Sequence, residues 1–191
     1  MIRHLGTSVR VTAFSIVLLG LIYPLAMTGL AQALFPRQAN GSLIAVDGKL
    51  VGSSIIGQLW TKPRYFHGRP SAAGKGYDPT ATGGTNLGPT SKKLIGATRK
   101  TIAALRAENP DAMGPPPMDL VTSSGSGIDP DISPESAYWQ APRVAKARGS
   151  TVASVNALIA KQVRGRTFGF LGEPRVNVLE INLALDGVKP Q

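Results

Sequence analysis

Residues 11–35 read VTAFSIVLLGLIYPLAMTGLAQALF, 25 consecutive positions without a charged side chain. As a helix rising about 1.5 Å per residue, this stretch reaches roughly 38 Å. A bilayer core is about 30 Å thick, so the segment crosses it with some tilt. Pro24 interrupts the run, which a membrane helix tolerates better than a soluble one. Tyr23 sits mid-span, away from the interfaces that tyrosine favours.

The flanks set an expected orientation. Arg3, His4 and Arg10 precede the span and no acidic residue does. The positive-inside rule therefore places residues 1–10 in the cytoplasm, 11–35 across the membrane and 36–191 on the outer, extracytoplasmic side. A cleaved signal peptide is the alternative, with Ala31-Gln32-Ala33 as a small-x-small cleavage site. The apolar run is about twice the usual ~7–15 residues of a signal core, which favours a permanent anchor.

The remainder is long enough for one domain with its own core. The chain has no cysteine, which excludes disulfides, a thiolate nucleophile and a cysteine-based zinc site. Its only histidines are His4 and His67, which excludes a histidine-rich metal centre. The whole chain carries +10, and residues 36–191 hold 19 basic and 11 acidic side chains. Aromatics are few and not interleaved with the basic residues, so nucleic acid is not the expected partner. A domain lying near anionic membrane lipid, or docked on an acidic partner, fits better. A basic surface that is simply solvated has equal standing.

Asp47-Gly48 between two short apolar runs predicts a hairpin, because a type I′ turn needs positive φ at both central residues. Residues 61–89 lack periodicity and are rich in Gly, Pro, Ser and Thr, which predicts an ordered, partner-facing loop. Ser91 or Thr90 caps a predicted helix to about Glu108, with Leu94, Ile95, Thr98, Ile102 and Leu105 on one face. Residues 118–121 read as a short strand running into Thr122-Ser123-Ser124-Gly125-Ser126-Gly127. Ser133-Pro134 starts a helix that Pro142 is expected to break or kink. A further helix is expected over 150–164, and Asn177-x-x-Glu180 looks like a capping box opening a last short helix to Leu185, although the dense apolar content of that run would also suit a strand. The expected fold class is α+β: a single N-terminal transmembrane helix followed by one extracytoplasmic mixed α/β domain.

A strand, a Ser/Gly loop and a helix can cradle an anion with backbone N–H groups. The loop lacks the lysine and spacing of a P-loop. It also lacks the Gly-x-Ser-x-Gly pattern, and no histidine follows it, which argues against a Ser-His-Asp hydrolase. The competing account is a tight turn whose hydroxyls satisfy the chain's own backbone. Asp129, Asp131 and Glu135 could act as acid and base or hold a cation, but the prolines between them favour turn capping. Gln140 and Arg143 lie one helical turn apart and could face one partner. The residues alone thus define a membrane-anchored accessory domain with no catalytic or metal-binding residues assigned. An independent envelope protein, anchored or secreted, binding an anionic ligand through the Ser/Gly loop is the alternative.

Several long motifs resemble one family. They are residues 120–130 (LVTSSGSGIDP) with Ile132-Ser133-Pro134, Gln140-x-x-Arg143-Val144-Ala145, residues 172–179 (GEPRVNVL), residues 65–72 (YFHGRPSA) and residues 84–89 (GTNLGP). Together they are similar to the C-subunit family of bacterial Kdp-type potassium-transporting P-type ATPases, over nearly the whole chain. Asp131 stands where that family usually has His. The resemblance implies a non-catalytic subunit of a high-affinity potassium import complex in the bacterial inner membrane. The implied partners are a channel-like potassium-translocating subunit, an ATP-hydrolysing P-type subunit and a small single-span subunit. It further implies a chaperone-like role that raises the ATP affinity of the hydrolysing subunit. On that view Ser123, Ser124, Gly125, Ser126, Gly127, Gln140 and Arg143 form a nucleotide-related signature, with ATP as the cofactor. The expected topology puts these residues on the outer side, away from cytoplasmic ATP, so the role is then exerted through the complex.

Overall fold

A computed structural model describes residues 2–188, and the chain divides into two compact units, Met1–Leu43 and Ile44–Gln191. In the first, helix α1 (Ile2–Val17) continues through a π-helical stretch (Leu18–Ile22) into α2 (Tyr23–Leu34). Residues His4–Leu34 are long and apolar enough to cross a membrane and bury nothing within the protein. Pro24 does not end the helix. Its ring would meet the Gly20 carbonyl in a regular α-helix, and it has no N–H to donate there. The chain widens instead, so that the Tyr23 N–H donates to Leu18 O, five residues back.

Pro36 ends α2, because the residue before a proline is pushed out of helical geometry; Phe35 sits at φ −137° and ψ 57°. A single turn, α3 (Pro36–Ala39), follows. Asn40 folds back on it: its side-chain amide donates to Pro36 O at 2.7 Å and to Gln32 Oε1 at 3.1 Å.

Strands β1 (Leu43–Val46) and β2 (Lys49–Ser53) form the predicted hairpin, with Asp47 at φ 50° and Gly48 at φ 75°. Residues 61–89 contain no helix or strand, as expected of a long loop. Helix α4 (Lys92–Glu108) is capped by Ser91, whose hydroxyl accepts from Leu94 N–H at 3.4 Å. The predicted apolar face is only partly used: no residue of α4 is fully buried, and Leu105 alone of that set packs against the core.

Residues 118–121 are not a strand. They form one helical turn, α5 (Met118–Val121), closed by Thr122 N–H donating to Met118 O at 2.9 Å. Pro117, at φ −59°, is set for a helix start, and Leu120 and Val121 are buried from a turn as effectively as from a strand. The anticipated strand–loop–helix cradle is therefore replaced by a turn, a loop and the two-residue strand β3 (Asp131–Ile132).

Helix α6 (Pro134–Arg148) starts where predicted, with Ser133 accepting from Ser136 N–H at 3.0 Å. It runs through Pro142 unbroken. The carbonyl that loses its N–H partner there belongs to Tyr138, four residues back. Gly149, at φ 62°, ends the helix in the left-handed conformation. Helix α7 (Val152–Gln162) is capped by Thr151, and α8 (Val178–Leu185) by Asn177, which accepts from Glu180 N–H at 3.1 Å. Strand β4 (Val176–Asn177) pairs antiparallel with β3, Asp131 opposite Asn177 and Ile132 opposite Val176. The core lies where α6, α7, α8 and these short strands meet, and Phe66 enters it from the long loop.

Candidate functional site

Three buried polar residues, Gln140, Arg143 and Asn182, converge on one stretch of the long loop. Gln140, on α6, donates from Nε2 to His67 O at 3.1 Å and accepts His67 N–H on Oε1 at 2.8 Å. Asn182, on α8, does the same one residue earlier: Phe66 N–H donates to Oδ1 at 2.8 Å and Nδ2 donates to Phe66 O at 3.0 Å. Each amide takes the place of a neighbouring strand, satisfying one donor and one acceptor of the main chain.

Arginines complete the arrangement. Arg143 Nη1 donates to Pro63 O at 2.6 Å and Tyr65 O at 3.0 Å, and Nη2 donates to Gln140 Oε1 at 2.7 Å. Arg148 Nε donates to Arg64 O at 2.7 Å, Nη1 to Leu185 O and Nη2 to Asp186, both at 2.8 Å. Asp186 also accepts from the Tyr65 hydroxyl at 2.8 Å. The backbone from Pro63 to His67 is thus held by side chains of α6 and α8, and Asp186 just after α8 holds the Arg64 and Tyr65 side chains. Gln140 and Arg143 do face a shared partner, and that partner is the chain's own loop. They are 1% and 7% exposed.

His67 lies between two charges. Its Nε2 is 3.2 Å from Lys62 O and 3.4 Å from Arg143 Nη1, and its Nδ1 is 3.6 Å from Glu108. Burial, and then the nearby Arg143 cation, hold its pKa below the ordinary imidazole value against opposing pulls from Lys62 O and Glu108.

The Ser/Gly loop is bonded in the same internal way. Ser124 Oγ accepts from Gly127 N–H at 2.7 Å, and Ser126 Oγ accepts from Ile128 N–H at 3.2 Å. Residues 70–83 close over it: Ser124 N–H donates to Pro70 O at 3.2 Å, Ser71 Oγ to Gly127 O at 2.6 Å and Gly83 N–H to Ser126 O at 2.8 Å. Gly127 sits at φ 72°, and a Cβ there would lie 2.7 Å from Ala73 Cβ and 2.8 Å from Gly83 O. Ser124 and Gly127 are buried, Ser123 is half-buried, and Gly125 and Ser126 are exposed.

Asp129 and Asp131 are paired, and Glu135 is exposed in the first turn of α6. Asp129 accepts from Asp131 N–H at 3.1 Å and from Arg69 at 3.0 Å. Asp131 accepts from Asn177 and Arg175, both at 3.1 Å. Burial nonetheless raises the Asp131 pKa, outweighing these two partners. Asp119, not singled out from the sequence, binds Ser133 N–H at 2.8 Å and the Ser133 and Ser136 hydroxyls, placing a carboxylate at the α6 N-terminus. Among the described residues no group of three or more His, Asp or Glu side chains is placed to hold a metal.

Fold and contacts define an α+β domain preceded, among the described residues, by one helix able to cross a membrane, with Gln140, Arg143 and Asn182 of the domain spent on its own loop. The family model for the K+-transporting ATPase C chain (KdpC) matches residues 5–187, and this chain belongs to that family. It is 57% identical over 191 residues to the potassium-transporting ATPase KdpC subunit of Caulobacter vibrioides strain NA1000, covering 100% of this chain and 96% of the relative. It is 58% identical over 181 residues to the corresponding subunit of Myxococcus xanthus, covering 94% and 86%. The Koribacter versatilis subunit is 52% identical over 189 residues, covering 98% and 96%.

Proposed function

We propose that this chain is the non-catalytic C subunit of an ATP-driven potassium import complex, anchored by α1–α2 and acting in assembly and stabilisation of the pump. The observation that carries this is the match of residues 5–187 to the family model. The partners are then a channel-like potassium-translocating subunit, an ATP-hydrolysing P-type subunit and a small single-span subunit. Expressed with them and extracted in mild detergent, the tagged chain is expected to bring down the potassium-translocating and hydrolysing subunits in fixed ratio. Recovery of the chain alone would overturn the proposal.

The orientation follows from charge. Arg3 and Arg10 before the span and no acidic residue there favour a cytoplasmic N-terminus with residues 36–191 outside. A single cysteine at Ser126, in a chain that has none of its own, reports it. Labelling of Ser126→Cys by an impermeant maleimide from the outer face alone is expected; labelling from the cytoplasmic face alone would reverse the topology.

The family resemblance also supports a role in raising the ATP affinity of the hydrolysing subunit. Residues 123–127 with Gln140 and Arg143 are its candidate determinants. Ser124, Gln140 and Arg143 already bond within the fold, and the expected topology keeps all of them from cytoplasmic ATP. Both points favour an effect transmitted through the complex over direct contact. Gly125 and Ser126, which are exposed, are where direct contact would be made. The ATP KM of the assembled pump is expected to stay unchanged in Ser126→Ala; a large rise would favour the direct reading.

A further inference from the structure

Among the described residues 44–188, the most exposed aromatic side chains stand together at one hairpin tip: Phe168 is 84% exposed and Phe170 69%, with Leu171 at 49% beside them. The tip is firmly built. Thr167 and Leu171 exchange N–H···O bonds, both at 2.9 Å, and behind them Arg164 and Arg175 do so at 2.8 and 2.9 Å. Phe168 and Gly169 turn the chain at φ 54° and 84°. A bulky residue rarely adopts that backbone, so an aromatic held there in full view of solvent needs a reason.

Three arginines ring the base. Arg166 pairs with Glu173 at 2.7 Å, Arg175 with Asp131 at 3.1 Å, and Arg164 with Glu180. The Arg166–Glu173 pair is largely exposed, and such pairs hold weakly and exchange readily for another anion. Phenylalanine and leucine at a tip, with arginine behind them, is the composition of segments that lie in the headgroup region of a bilayer. The tip is a narrow protrusion with polar neighbours, Arg166, Thr167 and Glu173. A fluid interface closes around such a shape without a matched recess. The domain is tethered to the apolar helix by a short connection: from Leu34, ending α2, to Leu43, opening β1, the chain extends at most about 30 Å at roughly 3.3–3.6 Å per residue.

We propose that the 168–171 tip inserts into the lipid interface on its side of the membrane, with Arg164 and Arg166 at lipid phosphates. This gives the domain a second membrane contact and rests on α1–α2 being an anchor. Single cysteines at Phe170, Met113 and Ser15, each carrying a polarity-sensitive fluorophore, test it in the full chain. The protein is reconstituted into vesicles of phosphatidylethanolamine and phosphatidylglycerol, with doxyl-labelled lipid as one quencher and iodide on both faces as the other. The Phe170→Cys label is expected to shift to the blue, to be quenched by shallow doxyl groups and to lose iodide quenching. The Met113→Cys label, at a position 94% exposed, is the water-facing reference. Iodide quenching of the Phe170→Cys label equal to that reference would overturn the proposal. So would shielding that arises only when the other pump subunits are added, which would assign the tip to a protein. Quenching of the Ser15→Cys label by deep doxyl groups reports the anchor separately, so failure of the anchor and failure of the tip read differently.

Discussion

Gln140 on α6 and His67 in the long loop exchange two hydrogen bonds, N–H to Oε1 at 2.8 Å and Nε2–H to carbonyl at 3.1 Å, across 73 residues of sequence. Asn182 repeats the pattern with Phe66 across 116 residues. Two consecutive residues of a loop without secondary structure are thereby fixed as firmly as in a sheet, and Phe66 is carried into the core. The order of this stretch of the loop comes from helix side chains.

Replacing Gln140 with Leu leaves His67 N–H and C=O without partners in a buried site and takes one acceptor from Arg143. Unsatisfied buried groups cost about 1–3 kcal/mol each, so a loss of about 2–4 kcal/mol is expected once the loop relaxes. Gln140→Glu keeps the acceptor for His67 N–H and sets a carboxylate against Arg143, and should lose less. Urea midpoints of the purified chain check both. Equal midpoints for Gln140→Leu and the parent chain would show that the clamp contributes nothing.

His67 adds a pH dependence of defined sign. Its folded pKa lies below the unfolded value of about 6.5, chiefly through burial and secondly through Arg143. The unfolded state therefore takes up the proton first as pH falls. The contribution is full above the unfolded pKa and is lost as pH drops through the folded pKa. The parent chain should weaken on acidification below about pH 6.5, and His67→Gln should weaken less over the same range. Thermal unfolding of both chains between neutral and mildly acidic pH measures the difference; parallel curves would exclude His67 as the source.

Neighbouring glycines of the Ser/Gly loop should respond very differently to one added methyl group. At Gly127 the left-handed φ of 72° and the approach of Ala73 and Gly83 O leave no room for it. Strain of about 1–3 kcal/mol from the backbone, with overpacking of similar size, is expected in Gly127→Ala. At Gly125 nothing lies within 4 Å of the added atom, and Gly125→Ala should be close to neutral. If the ATP KM of the assembled pump moves with Gly127→Ala and not with Gly125→Ala, the loop acts through its shape. A selective effect of Gly125→Ala would favour contact at its exposed surface instead.

Local signals in the sequence were sufficient for much of the fold. Asp47-Gly48 forms the hairpin, Ser133-Pro134 opens α6, and Asn177 caps α8, because each acts on backbone groups a few residues away. Residues 118–121 misled because four mostly apolar residues carry no period. Pro117 before them and the Thr122 N–H after them decided the turn. Pro142 does not end α6, which the core fixes along its buried face on both sides of the proline. The role of Gln140, Arg143 and Asn182 was not legible. Their partners are main-chain atoms far away in sequence, and a backbone carbonyl has no residue signature. A Gln and an Arg one turn apart look the same whether they await a ligand or hold a loop.

The long apolar helix His4–Leu34 changes its geometry at one proline. In the span, Tyr23 N–H reaches Leu18 O because Pro24 cannot fit against the Gly20 carbonyl. A π-helical turn holds one residue more than an α turn, which offsets Ile2–Val17 from Tyr23–Leu34 by about 100° around the axis. Pro24→Leu restores both the N–H and the room for a regular ladder, and the offset should disappear. Uniformly 15N-labelled chain in aligned bilayers should show two helical wheels out of phase for the parent and one continuous wheel for the variant. Two wheels in both would mean that Pro24 is not the cause. With the offset gone, one half of the span presents a different face to its neighbours. Copurification of the partner subunits should then fall in Pro24→Leu although residues 44–188 stay folded, as their unchanged urea midpoint would show.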